Sequence, residues 1–110
     1  MVEDERNIRF LVISILRQQN HEVIEAVNGV DALRCLEENP NFDLIVTDIL
    51  MPEMDGVQLT EVVRQRFPNM PILVVAASQD PAKAALEKGA NYYLPKPFSY
   101  SKFVTAFDSL

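Results

Sequence analysis

Apolar positions along the chain follow two different spacings, and the two alternate. Between residues 5 and 19, apolar residues recur three or four positions apart, which is typical of an amphipathic helix. Residues 42–48 and 71–77 are instead compact apolar runs of residues that favour strands buried on both faces of a parallel sheet. Spacing and turn residues together predict helices at 5–19, 30–38, 57–67, 78–89 and 99–110, and strands at 21–27, 42–48, 71–77 and 92–94.

This alternation predicts a doubly wound α/β fold, in which a parallel sheet carries helices on both faces and the connections are right-handed crossovers. Ligands of such folds bind at the carboxyl ends of the strands. The residues that carry function are therefore expected where the predicted strands end.

The composition and the charge of the chain exclude several classes of protein. With 110 residues, 48% of them apolar and 24% charged, the chain is typical of one folded domain, not of a disordered or fibrous protein. The formal charge of −6 disfavours contact with nucleic acid or an anionic membrane surface. The single cysteine, Cys35, excludes an internal disulfide, and the acidic start is unlike a signal peptide. Since no apolar run approaches the ~20 residues of a membrane span, we expect a cytoplasmic protein.

Charged residues stand at the carboxyl ends of the predicted strands. The acidic pair Glu3 and Asp4 follows the short apolar start of the chain, Asp48 ends the run 42–48, and Lys96 follows the last strand. Carboxylates held close together repel one another, and a hard divalent cation such as Mg²⁺ relieves this repulsion. A carboxylate beside Mg²⁺ and a lysine can attack phosphorus, because the cations neutralise charge on the transferring oxygens. The pattern predicts a Mg²⁺ site that forms an aspartyl phosphate.

Three motifs around these residues resemble the response-regulator receiver domains of two-component signalling, also called CheY-like domains. The motifs are the acidic start at 1–5, the loop 48–56 with its Met-Pro-x-Met-Asp-Gly run, and the Lys-Pro turn within 93–98. Together they extend over nearly the whole chain. The resemblance implies a single receiver domain with a flavodoxin-like five-stranded sheet in the order 2-1-3-4-5.

The resemblance also implies a role for each residue. Asp48 would accept a phosphoryl group from the phosphohistidine of a histidine kinase or phosphotransfer protein, and Lys96 would contact the phosphoryl oxygens. Glu3, Asp4 and Asp48, with the backbone carbonyl of Met51, would hold Mg²⁺. Such a domain passes a conformational change to a downstream protein or effector domain. It is not an enzyme beyond its own phosphorylation and dephosphorylation.

One departure from the family concerns the switch. Receiver domains carry Thr or Ser at the end of the fourth strand, whose hydroxyl bonds to the phosphate and draws an aromatic residue of the fifth strand inward. Here that position is Ala76, and the aromatic position is Tyr93. The missing hydrogen bond is worth ~1.5–3 kcal/mol, which puts the usual link to Tyr93 in doubt. The resemblance further implies a cis Lys96–Pro97 peptide bond.

A second departure lies at the start of the chain. Only Met1 and Val2 precede the acidic pair, whereas the family's first strand has about five residues and lies in the centre of the sheet. We consider three explanations: a sequence trimmed at its amino terminus, which we favour, a sheet completed by another chain in a homo-oligomer, or a distorted fold.

Two other functions are weighed against this interpretation. A pseudo-receiver would use the same fold as a phosphorylation-independent interaction module, and Ala76 is the residue that favours it. A phosphatase-type domain would need a second acid two residues after Asp48, where Leu50 stands. His21, the only histidine, is expected to be solvated and to take no part in the site.

Overall fold

A parallel sheet of three strands, formed by the described residues, lies at the centre of the computed structural model. The structure describes residues 1–3, 5–50 and 54–110. The strands, in their order across the sheet, are β1 (Ile45–Asp48), β2 (Ile72–Ala76) and β3 (Tyr92–Pro95). The register pairs Asp48 with Val75 and Ala76 with Pro95. The carboxyl ends of the three strands therefore meet at one edge of the sheet.

In the described residues, five helices pack on the two faces of this sheet. They are α1 (Arg6–Gln18), α2 (Gly29–Glu38), α3 (Gly56–Arg66), α4 (Gln79–Glu87) and α5 (Tyr100–Asp108). Short polar side chains determine where three of them begin: Asn28 caps α2, Asp55 forms a capping box with Gln58 at α3, and Ser99 caps α5. The bounds differ by at most two residues from the helices that spacing predicts. Within the described part of the chain, no helix is both long and apolar enough to cross a bilayer.

The amino-terminal segment adds one residue to the sheet beyond β1. Val2 forms a parallel bridge to Thr47 of β1 and another to Ala26. The segments therefore lie in the order Ala26, Val2, β1, β2, β3, which is the predicted order 2-1-3-4-5 with its first two members reduced to single residues. The predicted fold class is confirmed, including the nearly absent first strand.

The strand predicted at 21–27 is wrong, because Ala26 alone forms a bridge there. A parallel strand forms only where a neighbouring backbone pairs with it. Met1 and Val2 offer such a neighbour only near the end of that segment, where the Met1 amino group donates to the Ile24 carbonyl at 3.0 Å. The strand predicted at 42–48 likewise begins only at Ile45.

Two apolar clusters, one on each face of the sheet, hold the helices in place. One cluster packs α1 and α5 against the sheet, and the other packs α2, α3 and α4. Alternate residues of β2 enter both clusters: Leu73 and Val75 face α1 and α5, whereas Ile72 and Val74 face the other helices. Each of these four side chains is at most 1% exposed, and burial of one such side chain stabilises the fold by about 1.5–3 kcal/mol. The edge that carries the charged residues thus rests on a well-packed central strand.

Gly56 begins α3 against the backbone that carries Asp48. Its N–H donates to the Ile49 carbonyl at 2.8 Å, and a Cβ atom at this position would collide with the carbonyl oxygen of Asp48 and the Cα of Ile49. Backbone in a packed strand end cannot move aside easily. We expect Gly56→Ala to lower the free energy of unfolding by about 1–3 kcal/mol, the usual cost of overpacking, measured by urea denaturation.

The matched control is Gly29→Ala at the start of α2. A Cβ atom at Gly29 would meet the Cβ, Cγ and Sδ atoms of Met54, a half-buried residue outside the helices and strands that can shift at lower cost than a packed strand end. Its loss of stability should be clearly smaller. If the two variants lost the same free energy of unfolding, the backbone at Asp48 would not be what makes alanine unfavourable at position 56.

Candidate functional site

Backbone pairing brings three charged residues to the carboxyl edge of the sheet. The Asp48 N–H donates to the Val2 carbonyl at 2.9 Å, which sets the next residue, Glu3, beside the end of β1. Asp48 is itself the last residue of β1. Lys96 directly follows β3, and its N–H donates to the Ala76 carbonyl at 2.9 Å. Each side chain is therefore positioned by a strand end or a bridge residue.

The ammonium of Lys96 lies between two carboxylates. Its Nζ atom is 3.1 Å from Glu3 Oε1 and 3.1 Å from Asp48 Oδ1. The Glu3 side chain is fully buried, whereas 11% of the Asp48 side chain and 18% of the Lys96 side chain are exposed. Salt screens such partly buried pairs less than it screens pairs on the surface. The structure thus brings Glu3, Asp48 and Lys96 together in one cluster that solvent reaches at Asp48 and Lys96.

Asp48 is also held by its neighbours in sequence. Its Oδ1 atom accepts the Ile49 N–H at 2.9 Å, in addition to its contact with Lys96. The Thr47 hydroxyl donates to the backbone carbonyl of Asp48 at 2.7 Å. These bonds fix the direction of the carboxyl group relative to the end of β1.

The pKa values of the cluster depart from their ordinary range. Burial and the adjacent Asp48 carboxyl raise the pKa of Glu3 from 4.5 to about 7, against the opposing effects of the Glu5 N–H and the Lys96 ammonium. Burial lowers the pKa of Lys96, but the Asp48 and Glu3 carboxylates more than offset this, so that its pKa is raised. Lys96 therefore remains a cation, while Glu3 holds a proton up to near neutral pH.

The oxygen atoms of this cluster fit a hard divalent cation. Two carboxylates share one ammonium, so the cluster has excess negative charge whenever both are ionised. Carboxylate oxygens are ligands that Mg²⁺ prefers. Among the described residues, no three acidic, histidine or cysteine side chains converge as a metal site. The predicted ligands Asp4 and Met51 lie outside the described residues.

Arg9 of α1 is a contact of this cluster that the sequence did not predict. Its guanidinium donates to the backbone carbonyl of Glu3 at 2.7 Å and lies 3.3 Å from Glu25. Arg9 thereby ties α1 to the short segment that carries Glu3. In the sequence Arg9 is one of several polar positions between apolar ones, and spacing does not distinguish it from a solvated arginine.

The residues at the predicted switch lie in direct contact. Ala76 is 4% exposed, and its carbonyl accepts the Lys96 N–H and lies 3.5 Å from the Tyr93 hydroxyl. The Tyr93 ring packs against the apolar cluster that contains Ala76. Tyr93 is therefore already half-buried beside the end of β2. The Lys96–Pro97 peptide bond is cis, as expected.

The raised pKa of Glu3 gives a pH dependence that can be measured. Between pH 4.5 and about 7 the folded chain keeps a proton on Glu3 that the unfolded chain has released, so stability without metal falls as pH rises through this window. We expect the melting temperature in EDTA to fall more steeply for the wild-type chain than for Glu3→Gln, whose side chain does not titrate.

Glu87→Gln is the control for this experiment, because Glu87 is an exposed residue at the end of α4. This variant should keep the wild-type dependence on pH. Equal slopes for the wild-type chain and Glu3→Gln would contradict a raised pKa of Glu3 in the folded chain.

The sequence matches a known protein family along almost its whole length. The profile of the response regulator receiver domain matches residues 1–108. The chain is 37% identical to the response regulator protein FleR of Pseudomonas aeruginosa, over 89% of this chain and 21% of that protein. It is 35% identical to the chemotaxis protein CheY homolog of Campylobacter jejuni, over 90% of this chain and 80% of that protein.

The fold has solved counterparts as well. The receiver domain of NtrX from Brucella abortus superposes with a TM-score of 0.91 at 26% identity, over 98% of this chain and 92% of that chain. The chain spans between 11% and 45% of the length of four curated relatives. Profile, sequence identity and strand order agree, and the chain belongs to the family of response regulator receiver domains of two-component signalling.

Proposed function

We propose that this chain is a phosphoacceptor domain in which Asp48 takes a phosphoryl group from a phosphohistidine. The observation that carries the proposal is the position of Lys96 Nζ, 3.1 Å from both Asp48 and Glu3. An ammonium in contact with the acceptor carboxylate neutralises charge on the oxygens of an incoming phosphoryl group. The partial exposure of Asp48 leaves room for such a donor.

In the proposed transfer, an Asp48 carboxylate oxygen forms a bond to phosphorus while the bond from phosphorus to the donor nitrogen breaks. The imidazole nitrogen keeps the electron pair of that bond. Lys96 contacts the phosphoryl oxygens, and the Ile49 N–H keeps the carboxyl group oriented. Water later attacks the aspartyl phosphate and releases inorganic phosphate. Receiver domains are not enzymes with a separate substrate, and the proposal limits catalysis to the chain's own phosphorylation and dephosphorylation.

The proposed ligands of Mg²⁺ are Glu3, Asp4, Asp48 and the backbone carbonyl of Met51. When bound, Mg²⁺ supplies positive charge that offsets the charge of the phosphoryl oxygens. Burial first, and then the adjacent Asp48 carboxyl, raise the pKa of Glu3. A cation bound there would favour the ionised carboxylate against both effects, which supports this assignment. The backbone of Glu3 is already fixed by Arg9, at 2.7 Å.

Ala76 and Tyr93 are proposed as a modified switch. The Ala76 methyl group donates no hydrogen bond to a phosphoryl oxygen, and the Tyr93 ring is already packed beside it. A conformational signal would instead pass through Lys96. Its ammonium contacts Asp48, and its N–H donates to the Ala76 carbonyl. We therefore expect phosphorylation to change the structure at the ends of β2 and β3, with little movement of Tyr93.

The partners follow from this chemistry. The phosphoryl donor would be a histidine kinase or a phosphotransfer protein, and the output would pass to a downstream protein or an effector domain. Direct contact with nucleic acid or with a membrane is not part of the proposal, since the charge of −6 opposes both. The proposed location is the cytoplasm, where the ATP that feeds histidine kinases is found.

Acetyl phosphate provides the first test of the acceptor. Incubation with acetyl phosphate and Mg²⁺ should add one phosphoryl group to the wild-type chain, detected by intact-mass spectrometry. Asp48→Asn should abolish the adduct because it removes the attacking carboxylate, and EDTA should abolish it because the charge compensation is lost.

Asp108→Asn is the matched control, because Asp108 is an exposed carboxylate in the last turn of α5. It should be phosphorylated like the wild-type chain. A folded wild-type sample without an adduct would overturn the proposal and would favour a pseudo-receiver that acts without phosphorylation.

The switch is tested by giving residue 76 a hydroxyl. Ala76→Thr adds a donor that can bond to the phosphoryl group, whereas Ala76→Val adds the same bulk without it. With fluorotyrosine incorporated, the ¹⁹F resonance of Tyr93 should move on phosphorylation in Ala76→Thr, and should stay nearly constant in Ala76→Val and in the wild-type chain. A large wild-type shift would contradict the modified switch.

A further inference from the structure

Arg9 is a largely buried arginine whose guanidinium reaches back over the start of α1. Only 16% of its side chain is exposed. Its Nη1 atom donates to the Glu3 carbonyl at 2.7 Å, and its Nε atom donates to Glu25 Oε1 at 3.3 Å. The guanidinium therefore joins α1 to the amino-terminal segment and to the segment that carries Glu25.

The geometry of the helix explains why Arg9 reaches the residues ahead of α1. Its N–H donates to the carbonyl of Glu5, the residue that caps α1, so Arg9 lies one turn into the helix. Helical side chains lean toward the amino terminus of their helix, and a long side chain at this position extends over the residues before the cap. Arginine suits this place because its planar fork donates in two fixed directions, here to Glu3 and to Glu25.

The bond from Arg9 completes the set of bonds that fixes Glu3. The Glu3 N–H donates to the Ala26 carbonyl at 3.1 Å. One oxygen of its side chain accepts the Glu5 N–H at 3.2 Å, and the other lies 3.1 Å from the Lys96 ammonium. The carbonyl is the remaining polar group of Glu3, and Arg9 donates to it. Each polar group of Glu3 thus has a partner.

The carbonyl that Arg9 binds belongs to the peptide unit between two of the proposed Mg²⁺ ligands, Glu3 and Asp4. A peptide unit is planar, so the orientation of this carbonyl also sets the direction in which the chain continues from Glu3. Residues that orient the ligands of a metal ion without touching the ion typically change its affinity by about 10- to 100-fold. Arg9 is placed to have this effect.

We propose that Arg9 is a positioning residue for Mg²⁺ binding: it fixes the peptide unit between Glu3 and Asp4 and thereby raises the affinity of this segment for the cation. The inference rests on the proposed function, since it uses the Mg²⁺ ligands named there. The positive charge of Arg9, taken alone, has the opposite effect, because it repels a cation that binds nearby. Orientation and charge therefore change the affinity in opposite directions.

Arg9→Gln separates these two effects. Mg²⁺ dissociation constants are measured by NMR titration at the Ile49 amide, whose N–H donates to Asp48 Oδ1. The pH is kept well above the pKa of Glu3, so that its carboxyl group is ionised in every variant. We expect Arg9→Gln to bind Mg²⁺ at least about tenfold more weakly than the wild-type chain, whereas loss of the charge alone would strengthen binding.

Arg17→Gln is the matched control, because Arg17 is an exposed arginine in the last turn of the same helix. It lies ~12 Å further along the helix axis, beyond the distance over which salt screens exposed charges, and should bind Mg²⁺ like the wild-type chain. Arg9→Lys keeps the charge but cannot donate in two fixed directions. Its affinity should fall between those of the wild-type chain and Arg9→Gln.

Hydrogen exchange without metal reports the same positioning independently. The Glu5 N–H donates to the Glu3 side chain, so its exchange depends on how firmly this segment is held. In Arg9→Gln the Glu5 amide should exchange faster, whereas the amides of β2 should exchange as in the wild-type chain.

The possible outcomes distinguish this inference from the proposed function. Equal or tighter Mg²⁺ binding by Arg9→Gln would overturn the positioning role alone. Weaker binding together with faster exchange throughout β2 would also overturn it, since the variant would then be generally unstable. A wild-type chain that binds no Mg²⁺ would overturn both the positioning role and the proposed ligands. Weaker binding by Arg9→Gln in a chain that acetyl phosphate does not modify would support the positioning role and overturn the phosphoryl transfer.

Discussion

The contact of Lys96 with Glu3 and Asp48 is the interaction on which the carboxyl edge of the sheet depends. Its ammonium touches Glu3 and Asp48 at 3.1 Å each, and these residues come from the start of the chain, from β1 and from the turn after β3. Three distant parts of the sequence, positioned by backbone pairing, thus meet at the Lys96 ammonium. Removing one member of such a buried set leaves the others uncompensated, which costs more than the pair itself contributes. The cluster is consequently a structural support as well as a candidate reaction centre.

Much of the fold could be predicted from the sequence because local patterns and global packing agree. The runs that form β1 and β2 are apolar and lie beside each other, so propensity and partner both favour strands. The segment 21–27 shows where this reasoning fails. Its pattern is that of a strand, yet a strand also needs a neighbouring backbone, and among the described residues Met1 and Val2 are the ones that pair with this segment.

The candidate site could be predicted in part for the same reason. Asp48 and Lys96 could be identified as candidate site residues because each stands at the end of a predicted strand. The distances between them, and the burial of Glu3, follow only from the arrangement of the strands in space. Arg9 could not be predicted at all, because its contact is to a backbone carbonyl and leaves no complementary residue in the sequence.

The proton on Glu3 has a consequence for any cation that binds beside it. A carboxyl group with a pKa of about 7 is partly protonated near neutral pH, and a metal ion binds the deprotonated form. Each binding event in that range must release part of a proton to the solvent. Binding of a divalent cation beside Glu3 would therefore be linked to pH, and acidification would weaken it without any change in the concentration of the ion.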